Sequence, residues 1–277
     1  MTQARRIGAL STGYPRILPP TPTALQTSAE GLLAGEVWVP VGDGELPAYR
    51  AMPTTPGPHP ILLVVQEVFG VDEYLKDTCR RAAHAGFVAI APELYARQGE
   101  AGECETREAL FAIVGAVPDA QVMTDLDACA AFAASACAGD ATRLGVTGFC
   151  WGGRIVWLYA AHNPRLRAGV AWYGRLAGDT DPRHPRQPLD VAAELHAPVL
   201  GLYGSADQGI PVETVERMKK ALEASKSASR FVVYDGAPHA FHADYRASYQ
   251  PEPAKDGWSR MLAWLREHAA ARAAPSP

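Results

Sequence analysis

The chain has 277 residues, a net charge of −4 at pH 7, and hydrophobic side chains at 48% of its positions. This length and composition are typical of a globular α/β protein with a sizeable core. The small negative charge offers no basic surface for nucleic acid or for an anionic membrane, and the uncharged apolar runs are too short to span a bilayer. We therefore expect neither nucleic acid nor a membrane as a partner.

The cysteine pattern and the first residues bear on the cellular compartment. None of the five cysteines has the C-x-x-C spacing; they are Cys79, Cys104, Cys129, Cys137 and Cys150. An odd, scattered set favours free thiols in a reducing compartment over a disulfide framework. Prolines interrupt the first 35 residues, which therefore lack the continuous apolar stretch of a secretory signal. We predict a cytoplasmic protein.

The order of the predicted elements indicates the fold class. Residues 1–35 are polar and proline-rich, and we expect them to form an extended arm over the surface. Residues 36–40 and 46–51 read as an antiparallel β-hairpin. Apolar runs typical of buried parallel strands follow at 61–65, 87–91, 144–147, 168–173, 199–203 and 231–234. Helical patterns fall at 74–85, 119–137, 153–162, 212–223 and 254–272. This alternation predicts one α/β domain over 36–277, with a mostly parallel, doubly wound sheet flanked by helices.

The most informative segment is Gly148-Phe149-Cys150-Trp151-Gly152-Gly153, which lies between a predicted strand and a predicted helix. It has the form of a nucleophile elbow, G-x-S-x-G, with cysteine in place of serine. The helix start favours a thiolate at Cys150, and the backbone N–H of Trp151 would point at a developing oxyanion. The alternative is a buried cysteine in an ordinary turn.

Two further strand ends supply the partners that a nucleophile needs. Asp207 follows the strand at 199–203, and His239 follows the strand at 231–234. The order nucleophile, acid, histidine is typical of the α/β-hydrolase fold. In such a triad the imidazole moves protons and the carboxylate fixes its tautomer. We therefore predict a triad of Cys150, Asp207 and His239.

Other residues compete weakly for these roles. Asp235 also follows a strand, but a turn-capping role fits its position better. His242 competes with His239 as the base, although the loop position of His239 is more favourable. No His, Cys or Asp cluster has metal-ligand spacing, and no phosphate-binding glycine loop is present.

Together these segments resemble the dienelactone hydrolase (carboxymethylenebutenolidase) family. The motifs that carry the resemblance are Q-E-V-F-G at 66–70, L-Y-A-R at 94–97, the cysteine elbow, Y-G with Asp207, and A-P-H-A-F at 237–241. The resemblance spans about 36–270. It implies an α/β-hydrolase fold, a Cys-Asp-His triad, no metal or organic cofactor, and hydrolysis of an enol-lactone that carries a carboxylate.

The same resemblance implies roles for several other residues. Glu67 matches a carboxylate that accepts the thiol proton and restrains the resting cysteine. Arg97 matches an arginine that holds the substrate carboxylate, a task suited to a guanidinium group. Val68 is placed to give a second oxyanion N–H, and Tyr95 and Tyr173 are candidate pocket walls.

Departures from the family pattern leave the substrate open. No arginine follows His239 at the fourth position, where some members bind the substrate carboxylate and tether the glutamate; position 243 is alanine. His242 or Arg246 could substitute. We expect a monomer or small homo-oligomer that hydrolyses a small lactone or ester. The alternatives are a broad carboxylesterase or thioesterase, and a non-catalytic ligand-binding protein of the same fold.

Overall fold

The computed structural model describes residues 5–268 and contains one eight-stranded sheet, in the order β1-β2-β4-β3-β5-β6-β7-β8. The strands are β1 (Leu32–Val41), β2 (Gly44–Pro53), β3 (His59–Val65), β4 (Val88–Pro92), β5 (Gly139–Phe149), β6 (Leu166–Trp172), β7 (Val199–Gly204) and β8 (Arg230–Tyr234). The hairpin β1–β2 is antiparallel, and β2 also pairs antiparallel with β4, whereas the remaining pairs are parallel. The predicted α/β sheet with an antiparallel hairpin is confirmed.

Helices connect the parallel strands and pack against the sheet. They are α1 (Glu73–His84), α2 (Arg107–Ala116), α3 (Asp119–Ala136), α4 (Trp151–His162), α5 (Val212–Ala224) and α6 (Pro251–His268). Helix α1 packs against β2 and β4, α4 against β5 and β6, and α6 against β6 and β7. Five of these helices were predicted, but α2 was not. The last part of the predicted C-terminal helix, residues 269–272, lies outside the described residues.

The centre of the sheet explains the apolar runs in the sequence. Residues 61–65 of β3 are completely buried because β4 and β5 flank the strand and helices cover it. Strands buried on both faces have no need for polar alternation. Polar side chains instead follow the carboxyl ends of the strands, and ligands of open α/β sheets bind at that edge.

The N-terminal segment 5–31, called the arm below, is tied to four distant parts of the chain. Backbone hydrogen bonds join Ile7 N to Glu45 O, Glu73 N to Gly13 O, Arg16 N to Gly102 O, and Thr21 N to Tyr245 O. The first strand begins at Leu32, slightly before the predicted boundary, because Leu32 and Leu33 pair with Pro53 and Met52. The arm therefore has a fixed course over the surface.

Within residues 5–268, no single helix is both long and apolar enough to cross a bilayer. Helices α2 and α3 pass that test only as a pair, and the chain bends by 75° between them.

Candidate active site

Cys150 lies at the sharp turn between β5 and α4, with a φ of 54° that non-glycine residues rarely adopt. The flanking glycines make the turn possible. A Cβ atom on Gly148 would lie 2.3 Å from the carbonyl oxygen of Gly152, and one on Gly152 would lie 2.5 Å from the carbonyl oxygen of Gln66. The predicted elbow geometry is therefore present, and it leaves the Cys150 side chain partly exposed at the strand end.

Asp207 and His239 meet at the same edge of the sheet. Asp207 Oδ2 lies 2.6 Å from His239 Nδ1. The second oxygen, Oδ1, accepts hydrogen bonds from the backbone N–H groups of Gly209 (2.9 Å) and Ile210 (3.2 Å). Because the carboxylate can only accept, Nδ1 carries the proton, and Nε2 is the ring nitrogen left for chemistry.

The surroundings of His239 favour its protonated form. Burial lowers the pKa of the imidazole, but the hydrogen bond to Asp207 and the interaction with Cys150 outweigh burial and raise the pKa to about 10. The protonated ring then carries one proton on each nitrogen. Nδ1–H faces the Asp207 carboxylate, and Nε2–H faces the Cys150 sulfur.

The backbone N–H groups of Trp151 and Val68 were predicted to stabilise an oxyanion. Trp151 begins α4, Val68 follows β3, and both residues line the cavity that contains Cys150. Within residues 5–268, neither N–H donates a hydrogen bond to a loop or turn carbonyl. The predicted pair of oxyanion donors is thus brought together with the nucleophile.

The turn that carries Val68 is stabilised by the buried side chain of Glu93. Glu93 Oε2 accepts a hydrogen bond from the backbone N–H of Val71 at 2.7 Å. A side chain at Gly70, where φ is 80°, would lie 2.7 Å from the same oxygen. Burial raises the pKa of Glu93 to about 7. The sequence analysis missed this residue, although its position directly after β4 was the available signal.

Glu67 is almost fully buried, and its two partners are Tyr245, which was not predicted, and Arg246, one of the two residues offered as a substitute for the arginine absent at position 243. Tyr245 donates its hydroxyl to Glu67 Oε2 at 2.9 Å, and Arg246 Nη1 lies 3.5 Å from Oε1. Each carboxylate oxygen of Glu67 therefore has a partner in residues 245–246. A role for Glu67 toward the Cys150 thiol stays a prediction.

A cavity of about 960 Å³ contains Cys150, Asp207 and His239. Several of its other lining residues were not predicted: Ile17 and Leu18 of the arm, Arg107, Leu110, Phe111 and Val114 of α2, and Arg154 and Arg175. The signal for α2 was present, since Thr106 caps the helix by accepting a hydrogen bond from Ala109 N at 3.2 Å. No cluster of three or more His, Cys, Asp or Glu side chains in residues 5–268 could hold a metal ion.

Comparisons with known proteins agree with these motifs. The model of the dienelactone hydrolase family matches residues 46–269. A Methylorubrum extorquens protein named "Putative carboxymethylenebutenolidase" is 57% identical over 266 residues, which cover 95% of this chain and 91% of that protein. An Escherichia coli protein of the same name is 49% identical over 256 residues, or 92% and 94% of the two chains. A crystal structure from Klebsiella pneumoniae, described as a "Putative Dienelactone Hydrolase", is 55% identical with a TM-score of 0.84 and covers 85% of this chain and 99% of its own.

The chain belongs to the dienelactone hydrolase family. The predicted resemblance, the α/β-hydrolase fold, and the classification as a carboxylic ester hydrolase of the carboxymethylenebutenolidase type are confirmed.

The position of Arg97 in this dienelactone hydrolase family member differs from its expected one. Arg97 does not line the cavity. Its guanidinium group instead pairs with Asp125 at 2.7 Å and with Asp43 at 2.7 and 2.8 Å. Asp125 is buried and needs a cationic partner, which explains why Arg97 points toward α3. The expected contact between Arg97 and a substrate carboxylate is therefore not part of the site that we propose.

Arg246 takes the position that the missing family arginine left open. It lines the cavity, contacts Glu67, and keeps its side chain 23% exposed. His242 is instead a core residue: its Nδ1 lies 2.6 Å from the Tyr74 hydroxyl, and burial lowers its pKa well below the ordinary value. Of the two candidates, only Arg246 can reach a bound ligand.

Of the two tyrosines predicted to form pocket walls, one lines the cavity and the other does not. Tyr173 lines the cavity, and its ring meets that of His239 edge-on at 5.1 Å. Tyr95 lies behind the cavity wall, where its ring packs against Trp151 at 4.9 Å. Tyr173 is therefore a wall residue, whereas Tyr95 supports one.

Proposed function

We propose that this chain hydrolyses a lactone or ester through a covalent acyl-enzyme on Cys150, with Asp207 and His239 completing the triad. The observation that carries the proposal is the 2.6 Å contact between Asp207 and His239, which lies beside a cysteine on a strained elbow in one cavity. Nucleophilic catalysis requires these three groups to face one another in this order.

The first half of the reaction forms the acyl-enzyme. The Cys150 thiolate attacks the carbonyl carbon, a C–S bond forms, and the carbonyl oxygen becomes an oxyanion that the N–H groups of Trp151 and Val68 stabilise. The intermediate then collapses and the C–O bond breaks. The leaving oxygen takes the Nε2 proton of His239, which becomes neutral; in a lactone this oxygen stays attached to the acyl group.

The second half releases the product and restores the site. Neutral His239 takes a proton from water through Nε2, and the resulting hydroxide attacks the thioester. The C–S bond breaks, a carboxylic acid leaves, and the thiolate–imidazolium pair forms again. Asp207 holds the ring orientation in both halves, because its Oδ1 is itself fixed by two backbone N–H groups.

We further propose that Arg246 binds a carboxylate on the substrate. It lines the cavity, and its one ionic contact within the described residues, to Glu67, is long at 3.5 Å. A charge-assisted hydrogen bond is shorter than this, at about 2.7–2.9 Å, so a substrate carboxylate could compete for the guanidinium group. The predicted cytoplasmic location and the oligomeric state remain predictions.

A hydrolysis screen tests the proposal. We expect turnover of dienelactones, simple lactones or p-nitrophenyl esters by the wild-type protein, with an acylated protein visible by mass spectrometry for slowly hydrolysed esters. Cys150→Ala should abolish both. Cys104→Ala is the matched control, because Cys104 is also partly exposed but lies away from the cavity residues. Undiminished turnover by Cys150→Ala would refute the mechanism, and no turnover by the wild type would favour the non-catalytic alternative.

A broad carboxylesterase or thioesterase is the second candidate, and the size of the cavity favours it. At about 960 Å³, the cavity lies at the upper end of the range of about 300–1,000 Å³ that accommodates drug-sized ligands. A small lactone would leave much of this volume empty. In the same screen, faster turnover of neutral esters than of carboxylate-bearing lactones would support the second candidate.

A further inference from the structure

One part of the cavity has no task in the proposed mechanism. It is lined by five aliphatic or aromatic side chains, called the apolar chamber below: Ile17, Leu18, Leu110, Phe111 and Val114. Two of them come from the arm and three from α2. The arm residues precede the segment 46–269 that matches the family model. The chamber is therefore built in part by residues beyond the shared family core.

The α2 side of the chamber is a regular helical stripe. Arg107, Leu110, Phe111 and Val114 recur at a spacing of three and four residues, which places them on one face of the helix. Phe111 is 55% exposed, one of few large hydrophobic side chains so exposed in residues 5–268. An aromatic ring left accessible inside a cavity that also holds the nucleophile indicates a contact surface for a ligand.

The arm side of the chamber is held in place at both ends. Before Ile17, the ring of Tyr14 stacks on Tyr245 at 5.2 Å, and Arg16 N donates to Gly102 O at 3.0 Å. After Leu18, Thr21 N donates to Tyr245 O at 2.9 Å. The arm backbone is thus fixed on each side of its two cavity residues, as a preorganised binding wall requires.

The chamber adjoins the oxyanion side of the site. Gly102, which receives the arm hydrogen bond, lies against Ser11 and against the backbone of Phe69, the residue after Val68. The leaving oxygen must approach His239 instead, because His239 supplies its proton. The part of the substrate that extends toward Phe69 and the arm is therefore the acyl part.

We infer that the apolar chamber binds the acyl group of the substrate, and that Leu18 and Phe111 select esters or lactones whose acyl part carries a bulky alkyl or aromatic substituent. This inference rests on the proposed acyl-enzyme chemistry, since it assigns the acyl side by the position of His239. It adds a substrate class, with specificity-determining residues outside the triad.

A series of p-nitrophenyl esters from acetate to hexanoate tests the inference. In the wild type, kcat/KM should rise by up to about fourfold for each added methylene that enters the chamber. Phe111→Ala should lower kcat/KM for the hexanoate by about tenfold and leave the acetate within about twofold. Leu18→Trp, which fills the chamber, should lower hexanoate turnover in the same selective way.

The control is Leu25→Ala, a truncation of another exposed arm leucine that does not line the cavity. It should leave the whole series unchanged. A flat wild-type series, or equal losses on acetate and hexanoate in both chamber variants, would overturn the inference. So would a selective effect on a series of acetates with growing alcohol parts. Failure of the acyl-enzyme proposal is distinct, because it would appear as turnover that survives Cys150→Ala.

Discussion

The carboxyl edge of the sheet and the wall that covers it are built in different ways. At the edge, Cys150, Asp207 and His239 are fixed by backbone geometry: a strained turn, two amide donors to one carboxylate oxygen, and a 2.6 Å contact from the other oxygen. At the wall, Leu18 and Phe111 meet the cavity through side-chain surface alone. The first region depends on exact atomic positions, whereas the second depends on shape and apolar area.

This difference indicates where the protein can tolerate amino-acid substitutions. A displaced hydrogen-bonding atom at the edge loses a catalytic interaction, whereas a changed side chain at the wall alters which ligand fits. The arginines follow the same division. Arg97 is held by two carboxylates and serves the fold, whereas Arg246 lines the cavity with one long ionic contact. The predictions below test whether the two kinds of residue respond differently.

The largest effect is expected at Asp207. Asp207→Asn should lower kcat by about 10³–10⁴-fold because the carboxylate that orients His239 is lost. The hydrogen bond to Asp207 helps raise the pKa of His239 to about 10. Without it the pKa falls, so the imidazolium is lost at a lower pH, and the alkaline limb of the kcat profile should move to lower pH.

A double mutant checks that these residues act as one unit. Asp207→Asn combined with His239→Ala should be little slower than His239→Ala alone, as members of a unit are strongly non-additive. Steady-state kinetics on one p-nitrophenyl ester suffice for the measurement. Losses that simply multiply would mean that the two residues act independently.

Arg97→Ala should act on stability rather than on substrate choice. It leaves the carboxylate of Asp125, which is 2% exposed, without its cationic partner, at a cost of about 3–5 kcal/mol in the free energy of unfolding. Burial already raises the pKa of Asp125. The folded state therefore favours the protonated acid, and the loss should be larger at pH 8 than at pH 4.

Urea denaturation at the two pH values measures this effect. The variant Asp125→Asn in the Arg97→Ala background should recover part of the stability, because it removes the uncompensated charge. An unchanged unfolding midpoint, together with weaker binding of carboxylate-bearing lactones, would return Arg97 to the role that the family resemblance implied.

Arg246→Ala should act on substrate choice. For lactones that carry a carboxylate, we expect kcat/KM to fall by an amount that corresponds to about 2–4 kcal/mol of transition-state stabilisation. The reason is that one member of a partly buried charge pair is removed. For neutral esters only the contact with Glu67 is lost, so the loss should stay near 1 kcal/mol. Equal losses on both substrate types would remove Arg246 as the carboxylate site, and Arg246→Lys should retain part of the preference.

The smallest effect is expected from Tyr245→Phe. The change removes the hydroxyl donor to Glu67 but keeps the ring that stacks on Tyr14. A hydrogen bond to a charged group contributes about 1.5–3 kcal/mol, so kcat should fall by at most about ten- to hundredfold on charged and neutral substrates alike. Tyr234→Phe is the control, because its hydroxyl donates to the exposed Asp256 at 2.8 Å rather than to Glu67. A loss confined to one substrate type would argue against an action through Glu67.

The sequence was sufficient to predict structure wherever a local pattern of residues determines that structure. The apolar run at 61–65 indicated a buried strand, and the glycines around Cys150 indicated the turn that their close backbone contacts require. It failed where partners come from distant segments. Nothing adjacent to Arg97 signals Asp125, whose carboxylate lies on another element, and the family resemblance assigned Arg97 to the substrate.

The helix α2 was missed for a different reason. Its cavity-facing stripe includes an exposed phenylalanine, Phe111, and its sequence lacks the polar face that marks an ordinary surface helix. The arm was expected to extend over the surface, but its contact with the cavity depends on hydrogen bonds to Gly102 and Tyr245. Such tertiary contacts have no signature in a short stretch of sequence.

The stacking of Tyr14 on Tyr245 links the evolution of these two positions among homologues. Tyr245 holds Glu67 through its hydroxyl and receives the arm on its ring. A change of arm that displaces Tyr14 would also disturb Tyr245, which holds Glu67, so substitutions at the two positions are not independent. In an alignment of close homologues, positions 14 and 245 should therefore covary.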